Sequence, residues 1–206
     1  MHLLLTDRLA CPRCGPEFGL ILMAGDVRDR RVFEGHLGCF NCREEYPVDG
    51  GIADLRPPPR GRIDEASALP PDDPERALRL AALLGVREGP GHLLVMGEPA
   101  AQAERVAAIV EAIEVVAVHP GFEGTDEVGG VSRVRVGNVL PLQSYAMRGV
   151  ALEGAFVTSH LEEGLRVLSP GARLVLMGAP NGTLEALEAR GLELLLATDR
   201  ALVAQR

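Results

Sequence analysis

The four cysteines constrain this chain more than any other feature, because they come as two C-x-x-C pairs. Cys11 and Cys14 form the first pair, and Cys39 and Cys42 form the second. Two such turns present four thiolates in the tetrahedral arrangement that Zn²⁺ prefers, and a site with four protein ligands is closed and therefore structural. The sequence predicts a zinc ribbon over residues 1–55 whose metal supplies folding free energy that so small a unit lacks.

Disulfides and thiol redox exchange also use paired cysteines. We expect neither, because the chain opens without the basic and apolar regions of a secretory leader and because redox exchange needs only one pair. His36 is a candidate substitute ligand, although four cysteines already complete the site. Between the pairs we expect strands at 18–23 and 31–37, joined by a turn at 24–26. Turn-forming residues beside the cysteines leave backbone N–H groups free to bond the sulfurs: Pro12, Gly15, Gly38 and Asn41.

Charge and composition argue against several classes of partner. The chain has 29 acidic and 21 basic residues, a net charge of −8, and only 3% aromatic residues. Nucleic-acid binding requires a basic surface and is often helped by aromatic stacking, so we expect no direct contact with nucleic acid. No apolar run approaches the roughly 20 residues that span a bilayer. We therefore expect a cytoplasmic protein with no membrane attachment and an aliphatic core.

A proline-rich stretch at residues 56–74 divides the chain. Such a composition does not pack a core and behaves as an extended or semi-rigid tether. We therefore predict three parts, namely a zinc ribbon at 1–55, a linker at 56–74 and a second domain at 75–206. A tether of this kind is compatible both with docking of the two domains and with their independent motion.

Beyond the linker, predicted helices and strands alternate. Asp73 as N-cap, Pro74 at the first helical position and Gly85 after the last turn predict a helix between them. Further helices are expected at 100–113, at 161–168 and from Asn181 to Gly191, and strands at 92–96, 115–118, 131–136, 155–158 and 173–177, with a closing hairpin of 192–196 and 201–203. This alternation predicts an α/β fold with a mostly parallel, Rossmann-like sheet and an antiparallel C-terminal hairpin, which binds ligands at the carboxyl ends of its strands.

The first segment resembles a known family. Residues 3–14, the second cysteine pair and the tail Y-P-V-D-G-G-I-A-D-L at 46–55 look like the zinc-ribbon family of small tRNA-methyltransferase activator proteins and their bacterial relatives. Extra residues near Gly50 and Gly51 depart from the usual pattern without touching a ligand. The resemblance implies a module that serves methyltransferases as a partner or as a fused part.

The second segment is similar to class I S-adenosylmethionine-dependent methyltransferases in the order and spacing of its elements. Residues 161–176 resemble the helix, turn and fifth strand of that family, and 138–142 resemble the segment after its third strand, with Asn138 where an aspartate often stands. Ser159 and His160 are further polar candidates after the fourth strand. The resemblance implies S-adenosylmethionine as a cofactor.

The cofactor positions implied by this resemblance are Gly97, Glu98 and His119. The family places a G-x-G-x-G turn after its first strand, whereas this chain has one glycine, a proline at position 99 that removes an N–H, and an alanine at 101 that adds a side chain. The family's second strand ends in an acid that binds the ribose hydroxyls, whereas this chain has His119 there. No catalytic residue is predicted.

Two hypotheses about function follow. The first is a zinc protein whose methyltransferase-like domain is non-catalytic and which acts as an interaction or scaffolding subunit for a methyltransferase, another enzyme complex or a second copy of itself. The alternative is an active S-adenosylmethionine-dependent methyltransferase with an atypical cofactor loop. A third reading, a methyltransferase acting on ribosomal RNA, is disfavoured by the acidic charge.

Overall fold

The chain is built around one large sheet, shown by a computed structural model that describes residues 1–61, 68–122 and 129–206. Its strands are β1 (Ala10–Cys11), β2 (Gly15–Gly19), β3 (Ile21–Arg28), β4 (Arg31–Gly38), β5 (Glu45–Asp49), β6 (Ile52–Asp54), β7 (Glu88–Met96), β8 (Glu111–Val118), β9 (Val131–Arg135), β10 (Met147–Glu153), β11 (Leu168–Met177), β12 (Glu193–Ala197) and β13 (Ala201–Gln205). The α-helices are α1 (Pro74–Leu84), α2 (Ala103–Ile109), α3 (Ala155–Val167) and α4 (Thr183–Ala189), and two 3₁₀ helices span Leu3–Arg8 and Glu98–Gln102.

The strand order confirms the α/β class predicted from the sequence. Across the sheet the order is β12-β13-β11-β10-β7-β8-β9-β6-β5-β4-β3. The five strands β9, β8, β7, β10 and β11 run parallel, and the order reverses between β7 and β10, which is the switch point of a Rossmann-like sheet. Strand β13 is antiparallel to β11, as the closing hairpin predicts, so the whole sheet is mixed.

The cysteine-bearing segment docks on the Rossmann-like part. Strand β6 pairs in parallel with β9, through Ala53 opposite Val134. The antiparallel strands β3 to β6 therefore extend the same sheet, while β1 and β2 form a separate small pair. Of the two arrangements that the linker left open, the structure shows docking. The domain boundaries at 55 and 74 stay a prediction, and linker residues 62–67 lie outside the described residues.

The core is aliphatic and is shared between the two segments. One cluster on the first face of the sheet joins Leu37 and Leu55 of the cysteine-bearing segment to Leu140 and Leu152 of the second. A second cluster lies under α1 and α2 on the other face. Helix α1 has the predicted caps, since the Asp73 carboxylate accepts from two N–H groups of the first turn and Gly85 is left-handed with φ 69°.

The predicted hairpin between the cysteine pairs was wrong in detail. The strand expected at 18–23 is divided at Leu20 into β2 and β3, and the turn expected at 24–26 is a β-bulge around Gly25, where the register against β4 shifts. The chain turns instead at Asp29 and Arg30, whose φ values of 45° and 64° suit a two-residue hairpin. At this bulge β3 continues past Gly25, although a glycine in the sequence suggests that the strand ends there.

The predicted strand at 155–158 was also wrong. These residues open α3, which begins before the helix expected at 161–168, and the fourth parallel strand is β10. Gly154, at φ 59°, ends the strand and starts the helix. A four-residue apolar run does not distinguish a buried strand from the first turn of a buried helix, so periodicity failed here.

Two further helix predictions were wrong at their ends. The helix expected at 100–113 is a 3₁₀ turn followed by α2, and the chain enters β8 at Glu111. Val110 and Ile113 are buried and have helical spacing, but Val110 is the C-cap of α2 and Ile113 lies in β8. The last helix was expected to run from Asn181 to Gly191, whereas α4 spans Thr183–Ala189 and its N-cap is Gly182, with φ 87°.

Candidate metal centre and cofactor site

The structure brings the four predicted ligands together. The sulfurs of Cys11, Cys14, Cys39 and Cys42 all lie within 4.8 Å of one another. The Sγ–Sγ distance is 3.7 Å between Cys11 and Cys42 and 3.8 Å between Cys14 and Cys39. A tetrahedron with Zn–S bonds of about 2.3 Å has edges of about 3.8 Å, so the cluster fits zinc in size and in ligand chemistry.

Backbone amides support the sulfurs as the turn residues predict. The N–H groups of Arg13 and Cys14 donate to the sulfur of Cys11, and those of Asn41 and Cys42 donate to the sulfur of Cys39. Such bonds stabilise the thiolate form that binds metal. His36 lies outside this set, since it is exposed on β4 opposite Met23.

Tyr46 is a contact to the metal site that the sequence analysis did not identify. Its hydroxyl lies 3.6 Å from the sulfur of Cys11, and burial raises the pKa of the phenol, which therefore keeps its proton and donates. Burial alone raises the pKa of Cys11, but this bond and the amide bonds together lower it to about 7. The sequence does contain a signal for this contact, namely the tyrosine that opens the tail at 46–55 shortly after the second cysteine pair.

The predicted cofactor residues meet at the carboxyl ends of β7 and β8. Gly97 follows β7 with φ 89°, and its N–H donates to the carbonyl of Val118 at 3.1 Å, directly before His119. Glu98 is exposed at the start of the 3₁₀ helix. The structure therefore places all three on one edge of the sheet, where doubly wound folds bind their ligands.

His119 is already engaged with its own loop. The ring is buried, its Nδ1 accepts from the N–H of Gly121 at 3.0 Å, and it meets Phe122 edge-on at 6.1 Å between ring centres. Burial lowers the pKa of His119, against the opposing effect of the Glu98 charge. A neutral ring with Nδ1 occupied has only Nε2–H left for a ligand.

The loop after β7 has its backbone donors occupied. Of the four positions 97–100, three have a backbone N–H and each of these is hydrogen-bonded, whereas Pro99 has none. The N–H of Gly97 donates to the carbonyl of Val118, that of Glu98 to the carboxylate of Glu153, and that of Ala100 to the carbonyl of Gly97 at 2.9 Å. Positions 97–100 therefore offer no free N–H to an anionic group of a cofactor.

Two residues missed from the sequence crowd the same loop. A Cβ on Gly97 would lie 3.2 Å from the carbonyl oxygen of Glu153 and 3.4 Å from the ring of Phe156. Glu153 ends β10 and is half-buried, so burial together with the nearby Glu98 raises the pKa of its carboxyl. Phe156 could have been found only by recognising that Ala155 begins a helix.

The remaining polar candidates link α3 to the loop after β9. The Nε2 of His160 lies 2.8 Å from the carbonyl of Gly137 and donates to it, and its Nδ1 lies 2.7 Å from the hydroxyl of Ser159. Ser159 also contacts the carbonyl of Ala155 at 2.9 Å. Asn138 is exposed beside them. His160 and Ser159 are therefore committed to local structure.

No protein-family model and no curated protein matches this sequence. Among solved structures, the chain is similar to a protein from Methanococcus maripaludis that is assigned as an S-adenosylmethionine-dependent methyltransferase. The identity is 12%, the match covers 65% of this chain and 84% of that one, and the TM-score is 0.48. It is also similar to precorrin-6Y C5,15-methyltransferase from Geobacter metallireducens, with 12% identity, 71% and 98% coverage and a TM-score of 0.47.

A third similar structure is a complex between the Haloferax volcanii Trm112 methyltransferase activator and a methyltransferase. There the identity is 20%, the match covers 49% of this chain and 50% of that one, and the TM-score is 0.38. At these identities and scores the likeness assigns no activity, cofactor or partner to this chain. In the part of the chain that is described, no helix is long and apolar enough to cross a membrane.

Proposed function

We propose that this protein is a zinc-binding interaction or scaffolding subunit whose Rossmann-like domain does not catalyse methyl transfer. The supporting observation is the loop after β7, where positions 97–100 have no free backbone donor and the ring of Phe156 packs against Gly97. A cofactor with a carboxylate or phosphate depends on such donors at a strand end. Structural zinc in the cysteine cluster holds the ribbon in place.

The ribbon's role begins within its own chain. Strand β6 covers β9, which is the edge that the parallel strands would otherwise expose. Uncovered sheet edges pair with other chains, so the ribbon acts here as a fused partner of the Rossmann-like part. The thiolates that bind zinc stay reduced in the cytoplasm, and we propose that location.

A protein partner would then meet the ribbon on its outer side. Strand β3 is the end of the sheet, and Ile21 and Met23 are 58% and 49% exposed on it. Phe40, in the second cysteine turn, is 67% exposed. An open edge with apolar side chains suits a protein that adds a strand. We propose a methyltransferase, another enzyme complex or a second copy as that protein.

The alternative, an active S-adenosylmethionine-dependent methyltransferase, has one observation in its favour. Gly97, His119 and Glu153 converge at the switch point, and a half-buried carboxyl with a raised pKa is a common feature of functional sites. In that case Glu98 and His119 would contact the cofactor.

Calorimetric titration distinguishes the two functions. S-adenosylmethionine and S-adenosylhomocysteine are titrated separately into the full chain after its zinc content has been measured. We expect no heat of binding. Saturable binding near micromolar concentrations that His119→Gln weakens would contradict the proposal and establish the alternative.

A further inference from the structure

A cavity lies at the opposite end of the sheet from the predicted cofactor residues. It has a volume of about 600 Å³ and is lined by the starts of the central strands, among them Arg87, Glu88, Arg148 and Arg173. Arg87 and Glu88 lie at the start of β7, Arg148 lies near the start of β10, and Arg173 on β11 pairs with Gly149 beside it, whereas Gly97 and His119 follow the carboxyl ends of β7 and β8. The cavity is therefore separate from the candidate cofactor site.

The cavity is positively charged within an acidic protein. Three guanidinium groups and one carboxylate, that of Glu88, line it, which gives a net charge of +2 against −8 for the whole chain. Over the described ranges, none of the three arginines lies within ion-pair distance of a carboxylate. Unpaired guanidinium groups that share one concave site attract an anion.

Two of the arginines pack closely against glycines, in space that a Cβ would occupy. A Cβ on Gly85 would lie 2.5 Å from Nη1 of Arg173, and a Cβ on Gly91 would overlap Cδ of Arg148. Arg148 also donates from Nη1 to the carbonyls of Glu88 at 2.7 Å and Pro90 at 2.9 Å. The Nε and Nη2 groups of Arg148 have no partner in the described residues. The fold therefore positions this guanidinium group and leaves some of its donors available to a ligand.

An apolar cavity of about 420 Å³ adjoins the charged one. The two share Gly85, Val86, Arg87 and Arg173, and the second is also lined by Leu78 and Ile109. These two side chains are 61% and 44% exposed. A molecule that fills both cavities carries an anionic group at one end and an apolar body at the other.

We propose that this pair of cavities binds a small phosphorylated molecule, with its phosphate among the three arginines and its apolar body against Leu78 and Ile109. A phosphate monoester carries about −1.5 to −2 charges at pH 7, which matches the net +2 of the cavity. Guanidinium forks also match the geometry of phosphate oxygens. The acidic remainder of the surface disfavours a large polyanion such as RNA.

The test uses inorganic phosphate and pyrophosphate as probes on the full, zinc-loaded chain at fixed ionic strength. Amide chemical shifts are followed by NMR, with acetate as the carboxylate control. We expect saturable shifts confined to residues 84–88, 148 and 169–173, with acetate producing none. Shifts elsewhere, no saturation with either phosphate probe, or an equal response to acetate would overturn the proposal.

Two matched variants sharpen the test. Arg87→Gln removes an exposed side chain with no hydrogen bond in the described residues, so the fold is expected to persist, and pyrophosphate affinity is expected to fall about tenfold with the loss of one charge-assisted bond. Arg79→Gln removes the same charge from α1 but lines a different cavity. It is expected to leave affinity unchanged. An equal fall in both variants would show non-specific attraction and overturn the site.

Discussion

A buried ion pair joins the ribbon to the Rossmann-like part in addition to the β6–β9 pairing, and removing one of its charges tests its contribution. Arg31 on β4 is 7% exposed, and its Nη2 lies 2.9 Å from Oε1 of Glu114 on β8. Its Nη1 donates to the carbonyl of Val131 at 2.7 Å. In Glu114→Gln the side chain keeps its size but loses its charge, so the guanidinium stays buried without a counter-charge.

The expected cost follows from this burial. Breaking a fully buried pair costs about 3–5 kcal/mol of unfolding free energy. The side chain of Glu114 is 20% exposed and Arg31 keeps its bond to Val131, so we expect about 2–3 kcal/mol. For a chain of 206 residues, each kcal/mol lowers the melting temperature by about 2–4 °C, which gives a fall of about 4–12 °C.

Urea denaturation followed by circular dichroism measures the change, with Glu111→Gln as the control. Glu111 lies on the same strand and is exposed, so its variant removes an equal charge without uncovering a buried partner. We expect that control to stay within about 0.5 kcal/mol of the parent chain. If Glu114→Gln is as stable as Glu111→Gln, the ion pair does not hold the two segments together and the reasoning fails.

Two further predictions concern the metal and the pH dependence. Cys11→Ser is expected to lose bound zinc, which a metallochromic chelator measures, whereas the exposed control His36→Gln is expected to keep one equivalent of zinc. One equivalent of zinc in both variants would refute the four-cysteine site. Burial, with the nearby charges of Arg8 and His2, lowers the pKa of His92 to about 4, so the unfolded chain binds the proton first as pH falls. Between about pH 6.5 and 4 the parent chain should therefore lose about 3 kcal/mol of unfolding free energy that His92→Gln does not lose, while His36→Gln should follow the parent.

Local chemistry made part of this molecule predictable. The spacing within each C-x-x-C pair, and the caps Asp73 and Gly85 of α1, are signals carried by residues close together in the sequence. Three parallel strands, β7, β9 and β11, could be placed for the same reason, because glycines lie beside their apolar runs, whereas β10 was not predicted. What such signals fix is the type of an element and, less well, its ends.

Contacts between distant residues account for what was missed. Nothing local in Ala53 and Val134 indicates that their strands pair, yet that pairing decides how the two segments meet. Phe156 crowds Gly97 only because α3 begins at Ala155, and the four-residue run there is equally compatible with a strand. The packing of Phe156 against the cofactor loop arises from tertiary structure, whereas the sequence showed only that the loop lacks the family's glycines.

The shared sheet means that zinc and the Rossmann-like part affect each other's stability. Strand β6 covers β9 on one side, and Leu37 and Leu55 belong to the same core cluster as Leu152 of β10. Losing the metal would free the cysteine turns and the strands that they anchor, and with them the cover of β9. The proline-rich stretch begins after residue 55, but we expect no boundary of cooperative unfolding there. The unit that unfolds cooperatively is expected to continue through β6 into the parallel strands.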